Sequence, residues 1–270
     1  MKDPLGDRMK ELEQVEAGRK SMPLLPLCIR LDGKGFSKYT SDLRKPYDLR
    51  LSKLMVEVTK FLVEETNACI GYTQSDEISL ILYSENYESQ LFFDGKIQKL
   101  VSVLASMASS RFNAEAPCYL PKGESSRPLA FFDCRAWNVP TPWEAVNTLV
   151  WRQQDAVRNS IQGAAQSVCS HKQLHGKGKK ELLEALAEKN IDWNEYPSFY
   201  KWGTFVQKTE KLIDLTPEQL ESIPEKHRPV GPVERSVIRV LYIEKLSAVI
   251  NRAGVVFNGE DAELPKGESE

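Results

Sequence analysis

Paired cysteines are missing from this chain. Its five cysteines, Cys28, Cys69, Cys118, Cys134 and Cys169, are scattered, odd in number and never two residues apart in a Cys-x-x-Cys. That pattern excludes a disulfide scaffold and reads as reduced core thiols of a cytosolic protein. An excess of charge of one sign is missing too. With 36 Lys and Arg against 38 Asp and Glu, the net charge is −2, so no global basic field announces nucleic acid, and any RNA contact must come from local patches. No apolar run nears the length of a membrane span, and no signal-peptide pattern is found, so the expected location is cytoplasmic with no membrane partner. The nucleotide-binding fingerprints are incomplete. Gly33-Lys34-Gly35 lacks the third glycine of a dinucleotide fold and the Gly-Lys-Ser/Thr end of a P-loop.

What is present centres on Ile70 to Leu82, where two apolar, β-branched segments flank the polar tip Gln74-Ser75-Asp76-Glu77. This predicts a β-hairpin with adjacent carboxylates at its tip. A solvated acidic turn would read the same way. A second segment, the apolar run Leu24–Leu31, leads into Asp32-Gly33-Lys34-Gly35-Phe36. Strand period two places Leu27, Ile29 and Leu31 on one face and Cys28, Arg30 and Asp32 on the other. Two aspartates at the ends of neighbouring strands are a common means of holding two Mg²⁺ for phosphoryl or nucleotidyl transfer.

Helical spacing of Leu51, Leu54, Met55, Val58, Phe61 and Leu62 predicts a helix before the hairpin, and Ile97, Leu100, Val101, Leu104 and Ala108 a second one after it. A strand follows over 128–137, in which Phe131, Asp133 and Arg135 share a face. The order is βαββαβ, the ferredoxin-like pattern, in which two helices cover one sheet face and leave the other free. The fold class is therefore α+β, ferredoxin-like with helical and C-terminal extensions, an arrangement that the palm of nucleotide polymerases and cyclases also has. The expected organisation is an N-terminal helical segment over 1–22, a palm catalytic domain over 23–140, an extension packed on it over 141–258, and a disordered tail over 259–270.

Thr141-Pro142 opens a long helix, about 143–169, that carries two stripes. One is apolar. The other, Arg152, Asp155, Asn159, Gln162 and Gln166, is polar, with gaps of three and four that place all five on one face; it suits hydrogen bonding to triphosphate, ribose or a partner. His171 to Lys180 holds two His and four Lys and no acid. Two readings compete there: phosphate-backbone contact by His171, Lys172, His175, Lys177, Lys179 and Lys180, or a solvated loop. A zinc site lacks an evident third ligand. The aromatic cluster Trp193, Tyr196, Phe199, Tyr200 and Trp202 is expected to pack against the palm and to lead into a strand at 203–206. Beyond Asp214 the chain is Pro-rich, with a strand or helix expected within 237–250.

Arg-Leu-Asp-Gly-Lys-Gly-Phe (30–36), Lys45-Pro46, Gln-Ser-Asp-Glu (74–77), Phe-Asp-Cys-Arg (132–135) and Trp-Arg-Gln-Gln-Asp (151–155) together resemble the tRNA-His guanylyltransferase family over about residues 5 to 207. Arg-Asn-Ser-Ile-Gln-Gly (158–163) and His-Lys-Gln-Leu-His-Gly-Lys (171–177) resemble its bacterial and archaeal guanylyltransferase-like branch. The eukaryotic branch has His-Ile-Asn-Asn-Leu-Tyr-Asn where this chain has Ala156 to Gly163.

The resemblance implies a template-dependent nucleotidyltransferase that adds nucleotides to the 5′ end of tRNA. ATP or a triphosphate activates that end, and the 3′-OH of an incoming NTP, GTP among them, attacks it. Asp32, Asp76 and the Gly33 carbonyl would hold two Mg²⁺, with Glu77 in support as a third catalytic group. Lys34, Gly35, Phe36, Ser37 and Ser75 would line the nucleotide pocket, Lys45 and Lys99 would neutralise triphosphate, and Arg152 and Asn159 would bind nucleotide from the helix. A homotetramer is also implied. The rivals are a palm-type nucleotide cyclase and a non-catalytic tRNA-binding protein.

Overall fold

Six antiparallel strands share one sheet in this computed structural model, which describes residues 3–89, 91–120 and 127–265. In chain order the elements are α1 (Pro4–Ala17), β1 (Leu27–Gly33), α2 (Leu49–Thr66), β2 (Ile70–Gln74), β3 (Glu77–Leu82), α3 (Ile97–Tyr119), β4 (Phe132–Asn138), α4 (Pro142–Val168), α5 (Lys179–Ala187), β5 (Thr204–Ile213) and β6 (Val233–Leu241), with short helical turns between them. The strand order across the sheet is β4-β1-β3-β2-β5-β6. The expected β1-helix-β2-β3-helix-β4 succession is present. The block after residue 141 also contributes, since β5 pairs with β2 and β6 with β5.

Local chemistry explains the main elements. Asp48 caps α2, its carboxylate accepting from the Arg50 amide at 2.9 Å, and Asn67 ends it in the left-handed conformation. The inner face of α2, Leu54, Met55, Val58 and Leu62, packs with Leu100, Leu104 and Phe112 of α3 on Leu27, Ile29 and Leu31 of β1. The apolar half of the period-two pattern in β1 thus faces α2 and α3. Thr141 caps α4 and Pro142 opens it.

The opposite sheet face departs from expectation. It is not free along its length. Ala145, Val146 and Leu149 of α4 pack on Cys28, Ile70, Tyr72 and Ile81, joined by Leu246, Val249, Val255 and Val256 from the C-terminal segment. A row of apolar side chains on that half of the sheet needs cover, and the extension supplies it. Only the half nearer the hairpin tip, where the side chains turn polar, stays open. Two smaller corrections concern the C-terminal part. The strand expected at 203–206 runs on to Ile213, and its partner β6 begins at Val233. The expected disordered tail is fastened at its start: Arg239 donates to the Gly259 and Glu260 carbonyls, and the Ile250 amide donates to the Glu263 carbonyl. Residues 266–270 lie outside the described residues.

Candidate active site

The cleft lies at the open end of the sheet. Gln74 and Glu77 pair across β2 and β3, so Ser75 and Asp76 alone make the turn, with Ser75 in the left-handed region at φ 56°. Beside it β1 ends. Asp32 stands directly opposite Glu77 on β3 and opposite Asp133 on β4. The Gly33 amide donates to the Asp76 carbonyl at 3.1 Å, which ties the strand exit to the hairpin tip and sets Asp32 and Asp76 side by side. Glycine is required at 33, because a Cβ there would fall 2.3 Å from the Phe36 ring.

A cavity of about 580 Å³ opens over this junction. Asp32, Asp76 and Glu77 form its floor with Arg30, Thr73 and Gln74. Arg152, Asp155, Asn159 and Gly163 of α4 form one wall, and Arg44, Lys45, Tyr47 and Asp48 with Phe199 and Tyr200 form the other. The expected site residues Asp32, Asp76, Glu77, Ser75, Lys45, Arg152 and Asn159 are thus brought together.

Electrostatics distinguish the three floor carboxylates. Burial pushes the Asp76 carboxyl up to about 6, and the charge of Asp32 adds to the shift, while its own backbone amide and the Ser75 hydroxyl, which donates at 3.1 Å, pull the other way. Burial also raises Glu77 above the usual carboxylate range, against the pull of Arg152. Both Glu77 oxygens are committed: Arg152 Nε donates to Oε1 and Nη2 to Oε2, each at 2.6 Å. Asp155 accepts from Arg152 at 2.8 Å and from Arg158 at 2.6 Å. Burial works against its charge, yet these two guanidinium groups hold it below the usual range. Glu77 is therefore a clamp between sheet and helix rather than a ready cation ligand, and Arg152 is spent largely on that clamp.

The Asp32–Asp76 pair is different. Two neighbouring carboxylates, one with its ionised form disfavoured, are the donor chemistry a hard cation relieves. Among the described residues no three His, Cys, Asp or Glu side chains close a protein-only cage. Mg²⁺ does not need one, since it takes one or two carboxylates together with substrate phosphates and water. The residues present fit that ion.

Several expected residues sit elsewhere. Phe36 is core: its ring packs on Tyr39, Phe112 and Phe132 at centroid distances of 5.1 to 5.4 Å, so only its backbone is available to a ligand. Lys34, Gly35 and Ser37 are exposed at the rim, with Gly35 at φ 66°. Lys99 is not brought to the cleft. It lies on the first turn of α3 with its ammonium 4.8 Å from the Phe93 ring. The half of α3 that meets the strand exit is instead its C-terminal half, where Ser109 and Asn113 bond the backbone of Ala130 and Phe132.

The polar stripe of α4 runs on from the cleft. Gln162 and Gln166 line a second cavity of about 370 Å³ with His171, His175 and Lys177. Lys172, Lys179 and Lys180 are exposed outside it. The aromatic cluster packs against α4 as well as closing the cleft: Trp193 Nε1 donates to Ser160 Oγ at 3.1 Å, and the Tyr200 hydroxyl donates to the Ser160 carbonyl at 2.6 Å. Sequence reasoning missed Tyr47, Asp48 and Thr40 as cleft residues. Their only signal was position, since they lie in the polar loop that follows the strand exit.

Known proteins resemble this chain in sequence and fold. A family model described as tRNAHis guanylyltransferase matches residues 6–140. A relative in Acanthamoeba polyphaga mimivirus, uncharacterised, is 31% identical over 76% of this chain and 77% of its own length. The tRNA(His) guanylyltransferase of Schizosaccharomyces pombe is 30% identical over 73% of this chain and 78% of its own. Among solved structures, a bacterial tRNA(His) guanylyltransferase-like protein in complex with ATP superposes with a TM-score of 0.70 at 38% identity, covering 76% of this chain and 87% of that one. Another such bacterial protein, in complex with GTP, gives 0.67 at 30% identity over 87% and 91%.

Proposed function

The chain belongs to the tRNA-His guanylyltransferase family and is a nucleotidyltransferase, and we propose that it adds nucleotides to the 5′ end of tRNA under the direction of a template base, the reverse of ordinary polymerisation. The observation that carries this reading is the meeting of Asp32 and Asp76 at the end of the open sheet half, tied by the Gly33–Asp76 backbone bond. Strand order β4-β1-β3-β2 with two helices on one face supports a ferredoxin-like palm.

Asp32 and Asp76, with the Gly33 carbonyl, would hold Mg²⁺, which when bound supplies charge stabilisation to attacking and leaving oxygens. Glu77, through Arg152, fixes the hairpin tip against α4, so the floor keeps its shape when substrate charge enters. Among the described residues the Lys45 ammonium donates to the Thr40 carbonyl alone, at 3.2 Å, and has donors left for a triphosphate. The Lys34 amide is taken by the Phe131 carbonyl at 2.8 Å, so the amides of residues 35–37 and the Ser75 hydroxyl are the groups offered at the rim. Asn159 reaches the same cavity from α4. ATP serves to activate the RNA end, and GTP or another NTP is the nucleotide added; the ATP and GTP complexes of the bacterial relatives support both. The second cavity and the lysines 172, 177, 179 and 180 contact the tRNA backbone. The protein acts in the cytoplasm as a homotetramer, with residues 23–140 as its catalytic block and 141–258 packed on it.

In this reading, selection rests on pairing with the opposing base. A correct pair places the NTP 3′-OH for attack, and small misplacements cost much rate. The test is a panel of 5′-truncated tRNAs that differ in anticodon and opposing base, incubated with Mg²⁺ and all four NTPs, with RNA length and free nucleotides both analysed. Addition that follows the opposing base supports 5′-end repair. Addition of G to tRNA-His alone would restrict the reading to guanylate addition, and cyclised free nucleotide without longer RNA would overturn it in favour of a cyclase.

A further inference from the structure

The far part of the polar stripe on α4 has no work inside the protein. Asn159, Gln162 and Gln166 are exposed, and among the described residues their amides bond no protein group. Gln153 on the same helix shows what a structural amide does here. It is buried, its Nε2 donates to the Trp202 and Ile243 carbonyls, and its Oε1 accepts from the Leu246 amide. Between Asn159 and Gln166 the same face holds Gly163, which adds no side chain to the strip that joins the first cavity to the second.

The second cavity, about 370 Å³, has the size of a small-ligand pocket. The buried member of its lining is Leu174, which packs with Ile161, Ala165 and Leu182, so its floor is apolar. A capping box between Ser170 and Gln173 fixes the turn that carries His171 and Leu174. The rings of His171 and His175 stand 6.1 Å apart beside that floor.

The donor and acceptor chemistry of this lining decides the ligand. Phosphate oxygens only accept hydrogen bonds, which an ammonium serves, and Lys177 is there for that. A carboxamide donates and accepts side by side, as the edge of a nucleobase does, and glutamine meets adenine in this way with two bonds. Imidazole rings over an apolar floor give a base a face to lie against.

We propose that the second cavity receives an unpaired nucleobase from the RNA strand opposite the one that is extended. This rests on the nucleotidyl transfer reading above. In an RNA helix the pairing edges are occupied and the major groove is too narrow for side chains, so only an unpaired nucleotide can offer an edge to Gln162 and Gln166. Beside the end being extended, the unpaired nucleotides are those of the opposite strand past the template base. The reach agrees. Seven residues of α4 separate Asn159 in the cleft from Gln166, about 10 Å at 1.5 Å per residue, or about three stacked nucleotides at 3.4 Å each.

The experiment measures binding of an acceptor-stem RNA hairpin that lacks its 5′-terminal nucleotide, with extension by Mg²⁺ and NTPs followed in parallel. The opposite strand runs three nucleotides past the template base, and those three are either complete or abasic. The proteins are the wild type, the double variant Gln162→Ala with Gln166→Ala, and Lys177→Gln, each checked by its thermal melt. The wild type should bind the complete overhang about tenfold more tightly than the abasic one, the scale of one base–aromatic stack. The double variant should lose most of that ratio. Lys177→Gln should weaken both RNAs alike and keep it. Equal binding of the two RNAs by the wild type overturns the inference and leaves the cavity a backbone contact. A ratio that survives in the double variant overturns it as well. A wild type that extends neither RNA would instead sink the underlying reading of function.

Discussion

Glu77 and Arg152 face each other as two planar groups joined by two bonds of 2.6 Å, one from the hairpin tip and one from the middle of α4. Both side chains are largely withdrawn from water, at 17% and 9% exposure. Breaking such a pair from one side leaves an uncompensated charge. Arg152→Met is therefore expected to destabilise the protein by about 3 kcal/mol, and Glu77→Gln by less, because Asp155 still receives Arg152. Both should lower nucleotide addition. The double variant measures the coupling: single effects that simply add would show that the pair does not act as a unit.

Asp32→Ala and Asp76→Ala are expected to abolish Mg²⁺-dependent addition while the thermal melt survives. Wild-type turnover by either variant would remove that aspartate from the cation site and sink the paired assignment.

Asp76 also predicts an unusual pH signature in chelator. Its folded pKa, about 6, lies above the ordinary value of 3.8. A carboxyl raised on folding costs stability once the unfolded chain ionises. The cost is absent below about pH 4, grows between there and about 6, and is constant above. Asp76→Asn should thus stabilise the metal-free protein at pH 7 by up to about 3 kcal/mol and leave it unchanged at pH 3.5. Equal stability of the two proteins at pH 7 would argue against the burial of this carboxyl.

Asp48 should behave in the opposite sense. Its bonds to Arg50 hold it down at about 2 against an ordinary 3.8, so its contribution is complete above pH 4 and disappears as pH falls towards 2. Asp48→Ala, which removes the cap of α2, is expected to cost about 1 kcal/mol at neutral pH. A chemical denaturation series on both proteins should show the difference closing in acid.

Replacing Lys172, Lys177, Lys179 and Lys180 with Gln should weaken tRNA binding and reduce the slope of log affinity against log salt by roughly 0.7–0.9 for each RNA phosphate that is no longer neutralised. An unchanged slope would show that this segment is merely solvated.

The central sheet was legible because its two halves obey simple periods. Leu27, Ile29 and Leu31 alternate with Cys28, Arg30 and Asp32, and the hairpin is written as two β-branched runs around a polar tip. The carboxylates could be named for the same reason: polar residues at strand ends have few structural duties. What escaped was set by distant partners. Arg152 reads as a free ligand-binding cation on a polar stripe, and only the fold shows Glu77 within its reach. Phe36 sits inside a glycine-flanked motif, yet its ring joins Phe112 and Phe132, which lie far along the chain. Lys99 fell at the wrong end of α3 because helical spacing reports which face a residue occupies, never which end of the helix meets the site. The cover over the second half of the sheet comes from Leu246 to Val256, where the sequence has no clear period to betray a packing role.

Helix α4 is 27 residues long, about 40 Å at 1.5 Å per residue. Its first turns are sunk in the core beneath Cys28 and Tyr72, its middle carries Arg152, and its last turns wall the second cavity. Such a rod behaves as a lever with a fixed fulcrum. A tilt of only a few degrees at Leu149 would swing Gln166 by about 1 Å, and displacements of that size near a reacting group can cost a hundredfold in rate. If RNA seats at the far end as proposed, how squarely it does so would set how fast bonds form near the fulcrum, with no substrate atom touching both places.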